Sequence, residues 1–224
     1  MIGRMHRFTA LTLVFALLFL FGCAERSLYS HRDQAWRQDA EAICLAKGGY
    51  EPSPFIQRMN RINGKGACGV YYPLKVSASL SGYVAFSTPA TINCPMTSAL
   101  DGWFYHVVEP AAQRIYGSYV REVRVAASYS CRTRNHKPGA KASEHSFGNA
   151  IDIAAFTLAD GRTITVEGGW RGDRQDQAFL REVHTGACQL FTTVIGPNGD
   201  RYHIDHFHFD LARHNADNSY RYCK

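Results

Sequence analysis

The segment Ser143–Ile153 reads SEHSFGNAIDI and sets His145 and Asp152 seven positions apart, with Gly148 between them. On a helix, seven residues span about 10.5 Å. Both ligands of one zinc ion must lie within about 2.0–2.2 Å of it. A helix therefore cannot bring the pair together, whereas a chain that turns at Gly148 and enters a strand can. On that strand Asp152 shares its face with Ala150 and Ala154, while Ile151 and Ile153 point the other way. Small residues beside the acid leave room for a site. The competing reading is a loop histidine and a capping aspartate.

The C-terminal run HIDHFHFD, residues 203–210, alternates in the same way. On a strand, His206, His208 and Asp210 face one side and Phe207 and Phe209 the other. A polar stripe on so aromatic a strand is costly unless something satisfies it. A metal does so, as an alternative to a surface strand with solvated histidines. Catalytic zinc sites use three protein ligands and keep one position open. His145, Asp152 and either His206 or His208 supply three.

The elements that must position these residues follow from pattern. Asp33–Leu45 reads as a helix. Residues 48–69, rich in Gly, Pro and Asn, read as loop, and Val70–Ala90 as strands interrupted at Pro73 and Gly82. The stretch from Cys94 to Gly117 is the clearest helix, capped by Thr97 or Ser98, with Pro110 kinking or dividing it. Strands are expected at Tyr119–Tyr129, Ile151–Leu158, Thr163–Val166, Phe191–Ile195 and His206–Leu211, and a helix at Asp176–Thr185. The polar loop SCRTRNHKPGAKAS leads into the His145 motif. This order predicts an α+β domain: a small mixed, mainly antiparallel sheet with helices packed on one side and the metal site on the sheet face.

With 224 residues, 46% of them hydrophobic, the chain suffices for one domain with a real core. Arg4 and Arg7 precede an apolar run from Leu11 to Phe21, which is the layout of an export signal and short for a spanning helix. The run ends Leu20-Phe21-Gly22-Cys23, which resembles a bacterial lipobox. Residues 1–22 are expected to be a lipoprotein signal peptide, with Cys23 lipidated and residues 23–33 a tether. An ordinary signal peptide or an uncleaved anchor is the alternative. Ala24 after the cysteine resembles the signal for the outer membrane of a Gram-negative envelope. The folded domain is expected over 34–224, with an N-terminal helix-and-loop part at 34–95 and the metal-site core at 96–224.

Six further cysteines, Cys44, Cys68, Cys94, Cys131, Cys188 and Cys223, imply disulfides in an exported protein. No CxxC pair suggests a cysteine zinc site. The favoured pairing is Cys44–Cys68, Cys94–Cys131 and Cys188–Cys223. The formal charge is +6, and +4 without Arg4 and Arg7. That mild basic bias suits an anionic cell wall, and without a dense Lys/Arg block nucleic acid is not an expected partner.

The pattern S-x-H-x-x-G-x-A-x-D, formed by Ser143, His145, Gly148, Ala150 and Asp152, resembles the first metal motif of the lysostaphin / D-Ala-D-Ala metallopeptidase / hedgehog superfamily. The fuller run SYSCRTRN…SEHSFGNAIDIAAFTLADGR…DHFHFD resembles the bacterial extensin-like C-terminal domain family. The resemblance implies a zinc peptidase acting on peptidoglycan, with His145, Asp152 and His208 as ligands and Asp210 supporting a ligand from behind. It places Ser143 in the substrate site. Arg132 matches an arginine that contacts substrate or the developing oxyanion, with Arg134 a second candidate. For the base it offers two residues, His206 and Asp205; Asp205 stands where relatives usually carry Glu. The implied reaction is hydrolysis of a D-Ala-containing cross-link by a DD-endopeptidase or carboxypeptidase. The alternative is a non-catalytic, metal-containing wall-binding lipoprotein. The remaining histidines take plainer readings: His106 in packing or at the surface, His136, His184 and His214 at the surface, His31 in or near the tether, and His203 with a smaller claim to the site. Trp170 is expected in the core or a lid.

Overall fold

The structure, a computed structural model, describes residues 35–48 and 50–224. The leader, Cys23, the tether and His31 lie outside the described residues. The chain opens with helix α1 (Ala35–Ala46), strand β1 (Ile56–Arg58), the short hairpin β2 (Ile62–Asn63) and β3 (Gly69–Val70), then β4 (Leu74–Ser79) and β5 (Val84–Ile92). Helices α2 (Cys94–Trp103) and α3 (Glu109–Tyr116) follow, joined by a π turn, and then β6 (Val120–Ala127), β7 (Ala150–Leu158) and β8 (Thr163–Thr165). The chain ends with α4 (Val166–Gly169), α5 (Arg174–Ala187), β9 (Thr193–Ile195), β10 (Phe207–Asp210) and β11 (Tyr222–Cys223).

The main sheet has the order β1-β4-β5-β6-β7-β10-β9-β11, and β8 pairs with β7. Among the described residues, only the β5–β6 and β9–β11 pairs are parallel. The α+β expectation holds, and strands from both sides of residue 95 share this one sheet. The register of β10 against β7 places Phe207 opposite Ile153, His208 opposite Asp152 and Phe209 opposite Ile151. Alternation then sends the two phenylalanines and two isoleucines into the core on one face. It sends His208 and Asp152 together to the other face.

On the core face Trp103 of α2 is the hub. Its ring lies 5.0 Å from Phe209 and 6.0 Å from Phe156, and its Nε1–H donates to the Val183 carbonyl of α5 at 2.9 Å. Phe191 stacks on Phe209 at 4.9 Å. Truncating an aromatic side chain buried in this way costs about 3–5 kcal/mol, so the strand that carries His208 is held from behind by packing.

The long helix divides as its proline predicts. A π turn over Phe104–Val108 precedes Pro110, which has no N–H to give, and Gly117 ends α3 with a left-handed φ of 66°. Its cap is Asn93 and not Thr97 or Ser98: the Asn93 side chain accepts from Met96 N–H at 2.9 Å. The stretch 48–69 is not all loop, because β1 adds to the edge of β4 with Ile56 opposite Val76. That pairing is tertiary and leaves little local signal. Trp170 is a core residue. His184 is not at the surface: it is 8% exposed, between the Trp170 and Phe207 rings.

Two of the expected disulfides are also corrected. The bonds are Cys44–Cys94, Cys68–Cys131 and Cys188–Cys223. Cys94 opens α2 with its Cα 5.9 Å from that of Cys44 near the end of α1. The β2–β3 hairpin brings Cys68 to the loop after β6, with 5.5 Å between the Cα atoms of Cys68 and Cys131. Only the third pairing was expected.

Candidate metal centre

His145 lies on a 3₁₀ turn, Glu144–Phe147, that ends at Gly148 in a left-handed conformation with φ 58°. This is the turn before β7 that the spacing requires. A side chain at Gly148 would press on Val70 at 3.0 Å as well as straining φ. His145 is fully buried, and Asp152 and His208 are 4% and 8% exposed. The Nε2 of His145 is 3.2 Å from Asp152 Oδ1 and 3.2 Å from His208 Nδ1, and His208 Nδ1 is 2.8 Å from Asp152 Oδ1. Four-coordinate zinc with ligands at about 2.0–2.2 Å separates neighbouring ligand atoms by about 3.3–3.6 Å. The triangle is close to that size.

The hydrogen bonds behind the triangle set the tautomers. His145 Nδ1 is 2.6 Å from the Ser128 carbonyl, which can only accept, so Nδ1 carries the proton and Nε2 offers its lone pair to the centre. His208 Nε2 is 3.0 Å from Asp210 Oδ2, so its proton points to that carboxylate and Nδ1 faces the centre. Asp210 in turn accepts the Ala212 N–H at 2.9 Å. Two imidazole lone pairs and a carboxylate oxygen thus converge in a buried place, which requires a cation. His145, Asp152 and His208 could hold a metal ion. Without one, a proton must serve. Burial disfavours a charged His208, but Asp152 and Asp210 outweigh it and raise its pKa to about 10. Burial likewise opposes the Asp152 charge, and His145 and His208 more than compensate, holding its pKa well below the ordinary value.

Asp152 and His208 line the floor of a cleft of about 540 Å³, with His145 buried beneath it. His206 stands at its edge, with Nε2 3.8 Å from Asp152 Oδ2 and Nδ1 2.7 Å from Asp205 Oδ1. The side chain of Asp205 is 59% exposed. It therefore lies behind His206 and orients it. Arg132 reaches from the other side, with one guanidinium nitrogen 3.8 Å from Asp152 Oδ2. Ser143 and Arg134 line the same cleft, Arg134 being exposed. Arg134 precedes two left-handed residues, Asn135 (φ 53°) and His136 (φ 55°).

A model of one protein family, Extensin-like protein C-terminus, matches residues 42–224. The chain belongs to that family. No curated protein and no solved structure matches the chain.

Several residues of this extensin-like domain escaped the sequence reading. Ser146, next to His145, accepts the Arg132 N–H at 3.0 Å and donates to the Arg132 carbonyl at 2.8 Å, lacing the arginine loop to the metal turn. Glu144, on the other side of His145, is 3% exposed and takes both terminal nitrogens of Arg37, at 2.7 and 2.8 Å, as well as the Asn149 amide at 2.7 Å. His203, expected with a smaller claim to the site, does line the cleft, buried, with Nδ1 2.7 Å from Asp200 Oδ1 and its ring 5.7 Å from that of His208. His214 and Tyr222 of the C-terminal tail form part of the wall. Ser146 and Glu144 sit inside the motif, where a local signal existed; the Arg37 partner, 107 positions away, had none.

Proposed function

We propose that this extensin-like domain is a zinc peptidase of the bacterial cell envelope. It hydrolyses D-Ala-containing peptide cross-links of peptidoglycan and is carried on a lipid anchor at Cys23. The observation that carries the reading is the convergence of three lone pairs, from His145, Asp152 and His208, just beneath a cleft that Asp152 and His208 line. The donor set of two histidines and one aspartate suits zinc and leaves a coordination position toward the cleft. The resemblance of Ser143, His145, Gly148, Ala150 and Asp152 to the first metal motif of the lysostaphin / D-Ala-D-Ala metallopeptidase / hedgehog superfamily supports the choice of reaction.

A zinc ion held there supplies an activated water and positive charge beside the scissile carbonyl. The residues of this chain do the rest. His206 presents Nε2 to the cleft and takes a proton, while Asp205 fixes its Nδ1–H and the ring orientation. Arg132 places its guanidinium where a developing oxyanion is neutralised, and Ser146 keeps its loop in place. Ser143 and Arg134 contact the substrate along the wall. The buried triangle and its supporting hydrogen bonds are preorganised, so little rearrangement opposes the reaction.

The test is a digest. The protein, expressed with its own leader, is loaded with zinc and incubated with purified cross-linked muropeptides, and products are read by mass spectrometry. Conversion of dimers to monomers, absent in His208→Ala, is expected and identifies the bond. A folded, zinc-loaded protein without turnover overturns the peptidase reading in favour of a wall-binding module.

A further inference from the structure

A second cavity, of about 260 Å³, lies between α1, the β2–β3 hairpin and Phe147, behind the turn that carries His145. Its lining is polar. Arg37 is 6% exposed and spends both terminal nitrogens on Glu144, yet its Nε–H has no acceptor among the described residues. Leaving such a donor buried and unpaired costs about 1–3 kcal/mol, so the position calls for an acceptor. Arg61 supplies a second cation from the hairpin. Its guanidinium stacks over the Tyr71 ring at 4.5 Å, which leaves the N–H edge available, and no carboxylate among the described residues lies within ion-pair distance of it. Gly64, Gly66 and Gly69 form one wall and leave backbone exposed to the space.

Two guanidinium donors facing one space call for an oxyanion, and the planar fork of arginine matches a carboxylate. Glu41 lines the same cavity and is almost fully buried, with Oε2 accepting the Tyr72 N–H at 2.7 Å. Burial raises its pKa to about 7. Below about pH 7 Glu41 is mostly an uncharged acid that tolerates a monoanion beside it. A dianion such as phosphate meets stronger repulsion as Glu41 ionises. We propose that this cavity is a second ligand site, taking a small molecule or chain end that bears a carboxylate. The site stands independently of the peptidase reading. It is coupled to the metal turn nonetheless, because the same Arg37 side chain grips Glu144 next to His145.

The test uses the isotopically labelled protein, expressed with its own leader and purified in mild detergent. N-acetylglycine is the probe, inorganic phosphate the comparison, and Arg61→Gln the variant, with unfolding midpoints recorded for both proteins. The expected result is saturating amide shifts at Gly64, Gly66 and Gly69 with N-acetylglycine. In the variant, binding weakens roughly tenfold or more, the scale of one lost charge-assisted hydrogen bond, at an unchanged midpoint. Absent shifts, shifts confined to the Arg132 and Ser143 cleft, or equal binding by the variant overturn the site. Equal or tighter binding of phosphate overturns its assignment to carboxylates.

Discussion

Asp210 Oδ2 accepts the Nε2–H of His208 at 3.0 Å, two residues along one face of β10. The bond fixes which nitrogen of His208 faces Asp152 and raises its basicity. Groups placed in this way behind a metal ligand typically govern affinity by about 10–100-fold. Asp210→Ala should weaken metal binding by that factor in a chelator competition. The metal-free unfolding midpoint separates loss of the ligand's support from loss of the fold. Unchanged affinity would remove Asp210 from the site.

The His206–Asp205 pair gives a kinetic prediction tied to the peptidase proposal. His206→Ala should slow muropeptide hydrolysis by about 10²–10⁴-fold, the usual contribution of a positioned base. Metal affinity should stay within a few-fold, because His206 is not in the triangle. Asp205→Asn should reduce the rate less, since it only orients the ring. A larger loss in Asp205→Asn than in His206→Ala would reverse the two roles.

The Arg37–Glu144 pair predicts a stability effect. Both side chains are nearly sequestered, and Arg37 also lies over the Phe147 and Trp36 rings at 4.0 and 4.4 Å. Arg37→Ala leaves a buried carboxylate without its counter-ion and should destabilise the domain by about 3–5 kcal/mol, measured by urea unfolding. A loss under about 1 kcal/mol would mean that the pair behaves as an exposed one.

His184 gives a pH dependence away from the metal. Burial lowers its pKa from 6.5 to about 4. Between those values the unfolded chain binds more protons than the folded one, so stability falls as pH drops through that window and levels off below about 4. The full effect is on the order of 3 kcal/mol at most. The difference in unfolding free energy between wild type and His184→Leu, taken at successive pH values, should track this curve. A difference independent of pH would show that His184 takes up a proton as readily in the folded protein as in the unfolded chain.

What the sequence disclosed was set by alternation. Phe207, His208 and Phe209 announce a strand with two unlike faces, and Gly148 announces the turn that lets His145 reach Asp152. The helix around Trp103 and its interruption near Pro110 were legible for the same local reason. Partnerships between distant segments were not. Cys44 and Cys68 are nearer to each other in sequence than Cys44 is to Cys94, but α1 packs beside the start of α2, and that decides the bond. His184 was expected at the surface as an ionisable side chain; its neighbours in space are Trp170 and Phe207. Asn93 won the helix cap from Thr97 because the chain enters α2 earlier than the apolar stripe suggests.

The register that sets His208 opposite Asp152 has a consequence for timing. One ligand waits on the Ser128 carbonyl for its tautomer, and another arrives 56 positions after Asp152. No fragment that stops short of β10 during synthesis contains all three residues. The metal can be captured tightly only once β7 and β10 have paired, so uptake of the ion reports that the sheet is complete, and any chemistry at the cleft starts after folding has ended.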